Sequence, residues 1–276
     1  MAKILAVSGG IDSMVMLDIF KDEDIIVAHF DHGTRPSSLE DATFVRNQAA
    51  KYQKVFQTAR SELGEGASEE TARKARYQFL YNLANQYRPA EIYTAHHLDD
   101  LIESIIINIM RGTGWRGLAI LDTPGIRRPF LEPDQTMDKK AICLYAAQRQ
   151  LTFREDPTNS SDEYLRNRIR HQMNNSIQKT ALYSLWQKQK ELKHEIDDLV
   201  ATLLPENHIW QRTWFTKLDQ NIALELLRAG TLRAHISATR PQLENFRQAI
   251  LTYAPGKYFN LPNNHLIKLT KTTFEL

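Results

Sequence analysis

Apolar runs and amphipathic stretches alternate along the first half of the chain. Ile4 to Val7 read as a buried strand and Ser8-Gly9-Gly10 as a turn; Asp12 and Ser13 then open an amphipathic helix through Phe20. Asp24 to Phe30 (DIIVAHF) is a second β-branched run, ended by Asp31-His32-Gly33, and a helix follows from about Ser38 to Tyr52. A short strand at Val55 to Thr58 leads to a loop with Gly64 and Gly66, after which Ser68, Glu70 and Thr71 start a long helix to about Tyr87. Ile92 to Ala95 is another buried strand, and Leu98 to Met110 is a helix with Ile102, Ile105, Ile106 and Ile109 on one side. This alternation predicts an α/β fold with a doubly wound, Rossmann-like parallel sheet, in which ligands bind beyond the carboxyl ends of the strands.

The pattern then changes. Arg127-Arg128-Pro129 with Phe130 and Leu131 reads as an edge strand or extended connection into a helix over Met137 to Gln150. From about Gln178 to Leu204 an amphipathic helix carries Leu182, Leu185, Trp186, Leu192, Ile196 and Leu199, and Pro205-Glu206-Asn207 breaks it. Helices near Asp219 to Ala229 and Pro241 to Tyr253 precede short β segments around Tyr258 to Leu261, His265 to Leu269 and Thr272 to Leu276, with Pro262-Asn263-Asn264 as a hairpin turn. The expected organisation is a catalytic domain over 1–176, a helical linker over 177–210 and a small α+β domain over 211–276.

Composition narrows the classes. A chain of 276 residues, 42% apolar, can bury a substantial core. A net charge of +2 neither demands nor excludes nucleic acid, so any basic patch must be local. The densest one is Arg154 followed by Arg166, Arg168, Arg170 and His171; its place after an Asn-Ser-Ser-Asp turn favours RNA phosphate contact over a solvated face. The single cysteine, Cys143, excludes an intramolecular disulfide and a multi-cysteine metal site within one chain. With no amino-terminal apolar region and no run of about 18 apolar residues, a soluble, cytoplasmic protein with no membrane association is expected.

The candidate chemistry starts at Ser8-Gly9-Gly10-Ile11-Asp12-Ser13. Two glycines between a strand and a helix allow close backbone approach, and the free N–H groups of the helix start face whatever sits in the turn, which suits a phosphate. A tight strand-to-helix turn is the plain alternative; neither the Walker loop nor a G-x-G-x-x-G spacing is present. Ser8, Asp31 and the His96-His97 pair each fall just past a predicted central strand, so they converge on one crevice, with one of the two histidines open to a supporting role. Asp100 and Glu103, three apart on one helix, repel unless a cation lies between them, which suits an ammonium group or a metal as well as a solvated helix face. Arg111-Gly112-Thr113-Gly114 ends that helix in a basic loop.

Ser8 to Ser13 resembles the SGG-x-DS loop of the N-type ATP pyrophosphatases. Together with DHGTR (31–35), EETARKARY (69–77), TAHHLDDLIES (94–104), RGTGWRGL (111–118), RRPFL (127–131) and DPTNSSDEYLRNRIR (156–170), it is similar to the tRNA(Ile)-lysidine synthetase family, in its shorter form with one small carboxyl-terminal domain. Thr34, where that family usually has leucine, and Phe153, where tryptophan is common, depart from the pattern at packing positions.

The resemblance implies a ligase that uses ATP and Mg²⁺ to adenylate the wobble cytidine of tRNA(Ile) with a CAU anticodon, after which free L-lysine displaces AMP to give lysidine. It implies ATP binding by Ser8, Gly9, Gly10, Ile11, Asp12, Ser13, Arg111 and Gly112, and lysine binding by Asp100 and Glu103. Catalytic roles fall to Asp31, His96, Arg76 and Arg168, with Asp12 and Asp31 as metal ligands and Arg166 and Arg170 on the tRNA. On residues alone, Glu69, Glu70, Arg73 and Arg76 form a surface charge ladder equally well. The attacking lysine, with an ordinary pKa of ~10.4, is neutral in only about one molecule in a few thousand at pH 7, so a carboxylate must position or deprotonate it. A tRNA-thiolating or amide-ligating relative and a non-catalytic nucleotide- or RNA-binding module share the loop, and a homodimer stays open.

Overall fold

A computed structural model describes residues 1–33, 38–61, 69–154 and 179–276. Two units are distinct, Met1–Lys190 and Glu191–Leu276.

The first unit holds a five-stranded sheet in the order β3-β2-β1-β4-β5. Its strands are β1 (Ala2–Ala6), β2 (Ile25–Asp31), β3 (Val55–Arg60), β4 (Ala90–Tyr93) and β5 (Ile126–Arg127). All neighbours pair in parallel, with Ile4 of β1 in register with Ile26 on one side and Ile92 on the other. The chain therefore winds outward from β1 through β2 to β3, returns to the other side of β1 as β4, and reaches the edge at β5. The strand order reverses between β1 and β4, and a ligand crevice belongs at the carboxyl ends of that pair.

Helices α1 (Ile11–Ile19), α2 (Ser38–Lys51), α3 (Glu69–Gln86), α4 (Leu98–Met110) and α5 (Lys139–Gln148) flank this sheet. The first of them is not amphipathic as expected: Met14, Val15, Met16 and Leu17 are all buried, because α1 joins the sheet residues Leu5, Val7 and Val27 in one core with Ile142 and Ala146 of α5. On the other face Ile4, Ile26, Ala28 and Ile92 pack with Leu80 and Leu83 of α3. Strand β4 ends at Tyr93, two residues before the expected Ala95; the Thr94 amide still donates to Arg127 O at 3.0 Å, and Ala95 and His96 turn off the sheet. The last helix of this unit, α6 (Lys179–Leu203), runs on into the second.

The second unit is α+β, with β6 (Ile209–Gln211) antiparallel to β9 (Thr273–Glu275) and a β7–β8 hairpin (Lys257–Leu261, His265–Leu269). The hairpin turns at Pro262-Asn263-Asn264, where both asparagines take positive φ, 59° and 60°. Helix α7 (Arg212–Phe215) is a single turn; α8 (Gln220–Arg233) runs past the expected Ala229. Gly230 inside α8 meets Trp210, which an added Cβ would approach to 2.6 Å. Trp210 stacks on Phe274 (5.6 Å between ring centres), and Phe215 and Phe246 meet Phe274 edge-on. Arg212 is buried and donates to the carbonyls of Ile250, Tyr253 and Thr270 at 2.6–2.8 Å, tying the end of α9 (Arg240–Thr252) to the strand ends. Among the described residues no helix is long and apolar enough to cross a membrane.

Candidate active site

The turn after β1 is built around the Ser13 hydroxyl. It accepts from the amides of Ser8 and Gly9 (both 3.2 Å) and donates to Gly10 O at 2.9 Å. Gly9 takes φ +95°, where a Cβ would also meet Val45 Cγ2 at 3.3 Å, so glycine is required there. Gly10 caps α1 in extended conformation, and the amides of the first helical turn have no intrahelical partner to bond. Behind the loop the Arg154 amide donates to Gly9 O at 2.9 Å, while its guanidinium is held by Glu40 (2.7 Å) and Asp41 (3.1 Å). Arg154, grouped by sequence with the basic cluster, thus braces the loop.

A cavity of about 340 Å³ opens above the ends of β1, β2 and β4 and brings together Ser8, Asp12, Ser13, Asp31, Arg76 and His96, with Asp100 at its wall. Asp31 is the last residue of β2 and is 4% exposed; Oδ1 accepts from the Gly33 amide at 2.8 Å, and among the described residues the buried Oδ2 has no hydrogen-bond partner and forms an ion pair with Arg60 at 3.7 Å. His29, one turn of pleat below, bonds Val7 O at 2.9 Å and locks β2 to the start of the loop. The two histidines divide their roles. His97 is buried as the N-cap of α4 in a capping box with Asp100: its ring accepts from the Asp100 amide and its own amide donates to Asp100 Oδ2 at 3.0 Å. His96 faces the cavity, 3.0 Å from Thr94 Oγ1. Burial, with Arg128, Arg76 and Arg73 nearby, pushes its pKa down to about 3, so it is a neutral imidazole at working pH. Burial and the Arg76 charge lower His32 in the same way.

Asp12 does not stand alone. Lys139, the first residue of α5, places Nζ 2.6 Å from Asp12 Oδ1, and its amide donates to Asp99 Oδ2 at 2.7 Å. Asp99 also pairs with Lys179 at 2.6 Å, and Lys179 with Asp138 at 3.1 Å. Lys139 went unnoticed in the sequence because a Lys-Lys pair at a helix start reads as solvent-facing, and its partner is 127 residues away.

Other expected site residues fall elsewhere. Glu103 is 2% exposed on α4, one turn beyond Asp100, and does not line the cavity. Arg111 and Gly112 form the end of α4, with Gly112 at φ +66°, also outside its lining. Gly9, Gly10 and Ile11 shape the loop from behind. Arg166, Arg168 and Arg170 lie outside the described residues. No group of three or more histidines, cysteines or acids that could cage a metal exists among the described residues.

A glycine turn at the switch point of a 3-2-1-4-5 parallel sheet, with its helix amides open to a polar cavity, defines a nucleotide-binding α/β protein. Residues 2–177 match the family model of the PP-loop domain, and the chain belongs to that family. It is 33% identical over 182 residues to a tRNA(Ile)-lysidine synthase of Geobacter sulfurreducens (62% of this chain, 39% of the relative). It is 31% identical over 218 residues to that of Thermotoga maritima (75% and 49%) and 35% over 175 residues to that of Thermus thermophilus (60% and 34%). The chain spans less than half the length of these relatives. Among solved structures, the U34-tRNA thiolase NcsA from Methanococcus maripaludis shares the fold, at TM-score 0.55, 17% identity, 69% of this chain and 72% of that one.

Proposed function

We propose that the chain uses ATP to adenylate the C2 oxygen of the wobble cytidine in the CAU anticodon of tRNA(Ile), releasing pyrophosphate, and that the ε-amine of free L-lysine then displaces AMP to form lysidine, changing the codon read from AUG to AUA. The observation that carries this reading is the convergence of Ser8, Asp12, Ser13, Asp31, Arg76, His96 and Asp100 on one cavity, in a chain whose relatives bear that name.

The parts suit the chemistry. The loop amides receive the leaving pyrophosphate, and Lys139 beside Asp12 adds a cation at the loop. A neutral His96 accepts or donates a hydrogen bond to the base without adding charge. Asp100, and Glu103 behind it on the same helix, supply the negative potential an ε-ammonium needs. Arg168, with Arg166 and Arg170, would meet tRNA phosphates. Asp31 Oδ2, which has no hydrogen-bond partner among the described residues and only the 3.7 Å ion pair with Arg60, fits one Mg²⁺ contact, whereas Asp12 is occupied by Lys139; few protein ligands plus substrate phosphates is the usual pattern for this ion. When bound, Mg²⁺ would neutralise phosphate charge. Cys143 is exposed on α5 and away from the cavity, which favours lysine transfer over sulfur transfer.

The test is purified chain with ATP, Mg²⁺ and labelled lysine on two CAU-anticodon transcripts. Label is expected in the isoleucine tRNA, with AMP and pyrophosphate released. Transfer to neither RNA, or equally to elongator methionine tRNA, overturns the reading.

A further inference from the structure

Helix α1 has a polar site at each end. Its first turn faces the crevice; its last carries Asp18, which with Lys21, Gln48, Lys51, Tyr52 and Arg149 lines a separate cavity of about 260 Å³. Asp18 is 4% exposed and accepts from Lys21 Nζ at 2.8 Å, Tyr52 OH at 3.0 Å and Tyr145 OH at 3.0 Å. Burial works to raise its pKa, but these donors hold it below the ordinary carboxylate range. The phenols stay protonated, Tyr52 being pushed up to about 12 by burial and by Asp18. The carboxylate is thus fully engaged in fixing Lys21 and two tyrosine rings.

Those rings collect further cations. Lys21 and Lys51 lie 5.7 and 5.6 Å from the Tyr52 ring centre, and Arg149 lies 5.7 Å from that of Tyr145. Lys51 and Arg149 have no carboxylate partner among the described residues, so three cations and one carboxylate surround a cavity. Asp18 is taken up by Lys21 and the two tyrosines, so the exposed Lys51 and Arg149 leave the cavity with excess positive charge that an anion would offset, and Arg149 can offer a planar fork to two oxygens at once.

We propose that this cavity is a second anion site, distinct from the crevice, that takes a phosphate group. The phosphate belongs either to an RNA backbone or to a free phosphate, and the test separates the two; the RNA arm rests on the tRNA reading above, while the inorganic arm does not. The full chain and its K51Q/R149Q variant are compared in binding to the isoleucine tRNA transcript across a salt series, with K54Q/K74Q as the charge-matched control. An RNA phosphate in the cavity lowers the slope of log Kd against log salt by about one to two in K51Q/R149Q and leaves the control near the original. A free phosphate leaves the slope unchanged, while millimolar inorganic phosphate shifts the Tyr52 and Tyr145 ring resonances in the original chain and not in K51Q/R149Q. Neither response, or an equal slope change in the control, overturns the proposal; normal lysine transfer alongside that result leaves the tRNA reading intact.

Discussion

Lys139 Nζ and Asp12 Oδ1 stand 2.6 Å apart, which joins the start of α5 to the first turn of α1 at the mouth of the phosphate-binding loop. Both side chains are partly exposed, 44% and 33%, so the pair adds little to stability; its place beside the loop makes ATP binding the property on which to test it.

Lys139→Gln is therefore expected to shift Tm by no more than about 4 °C, since an exposed pair is worth about 0–1 kcal/mol. Its KM for ATP should rise about tenfold, or about 1.4 kcal/mol. A KM within twofold of the original would remove Lys139 from the nucleotide site.

The two loop glycines should behave differently. Gly9→Ala forces an L residue to φ +95° against Val45 and is expected to cost about 1–2 kcal/mol together with ATP binding. Gly10 has φ −71° and an added Cβ would meet only Ser8 Oγ at 3.6 Å, so Gly10→Ala should melt like the original. Thermal unfolding of both, side by side, checks this; equal losses would count against the loop geometry.

His96 makes stability pH-dependent in a defined direction. Its pKa is about 3 in the folded chain and near 6.5 unfolded, so between these values the unfolded state binds the extra proton and stability falls as pH falls through the window. Urea midpoints at pH 5 and 7.5 should differ more for the original chain than for His96→Asn. His32, also lowered, contributes in the same direction and remains in both proteins. An identical difference would show that His96 protonates freely in the fold.

Glu103→Gln preserves shape at a buried position. The KM for lysine is expected to rise about tenfold or more, with the KM for ATP within about twofold. Because Glu103 lies behind Asp100 and does not line the cavity, any such effect would act through Asp100, and the reverse order would overturn a part for Glu103 in lysine binding.

In the second unit, Arg212→Met leaves one buried and two partly buried carbonyls without their donor and should cost about 1–3 kcal/mol, with Arg212→Lys giving little rescue because the fork is lost. Hydrogen exchange should accelerate over 191–276 and stay unchanged in the parallel sheet. Uniform acceleration of both units would contradict a local effect of Arg212.

Much of the architecture was legible. Apolar runs of four to seven residues gave the central strands, and the glycine pair after Val7 gave the turn, because strand burial and positive φ leave local marks on composition. What escaped was set by partners distant in sequence. The end of β4 depends on where β5 stops pairing, and β6, which carries Trp210, is held by β9 some sixty residues later. Gly230 stands inside α8 and not at its end, and Trp210 fills the space a side chain there would need.

By itself the sequence determined an alternating parallel fold, a glycine turn suited to a phosphate after the first strand, and the approach of Ser8, Asp31 and His96 to one side of the sheet, since each follows from the order of a few adjacent residues. Tertiary structure alone decided which charges are engaged and which face the cavity. It gave Lys139 to Asp12 and Arg154 to Glu40 and Asp41, made His97 the helix cap and left His96 neutral in the crevice. Coulomb attraction and the loss of water act through space, over a few ångströms, between groups that can be more than a hundred residues apart.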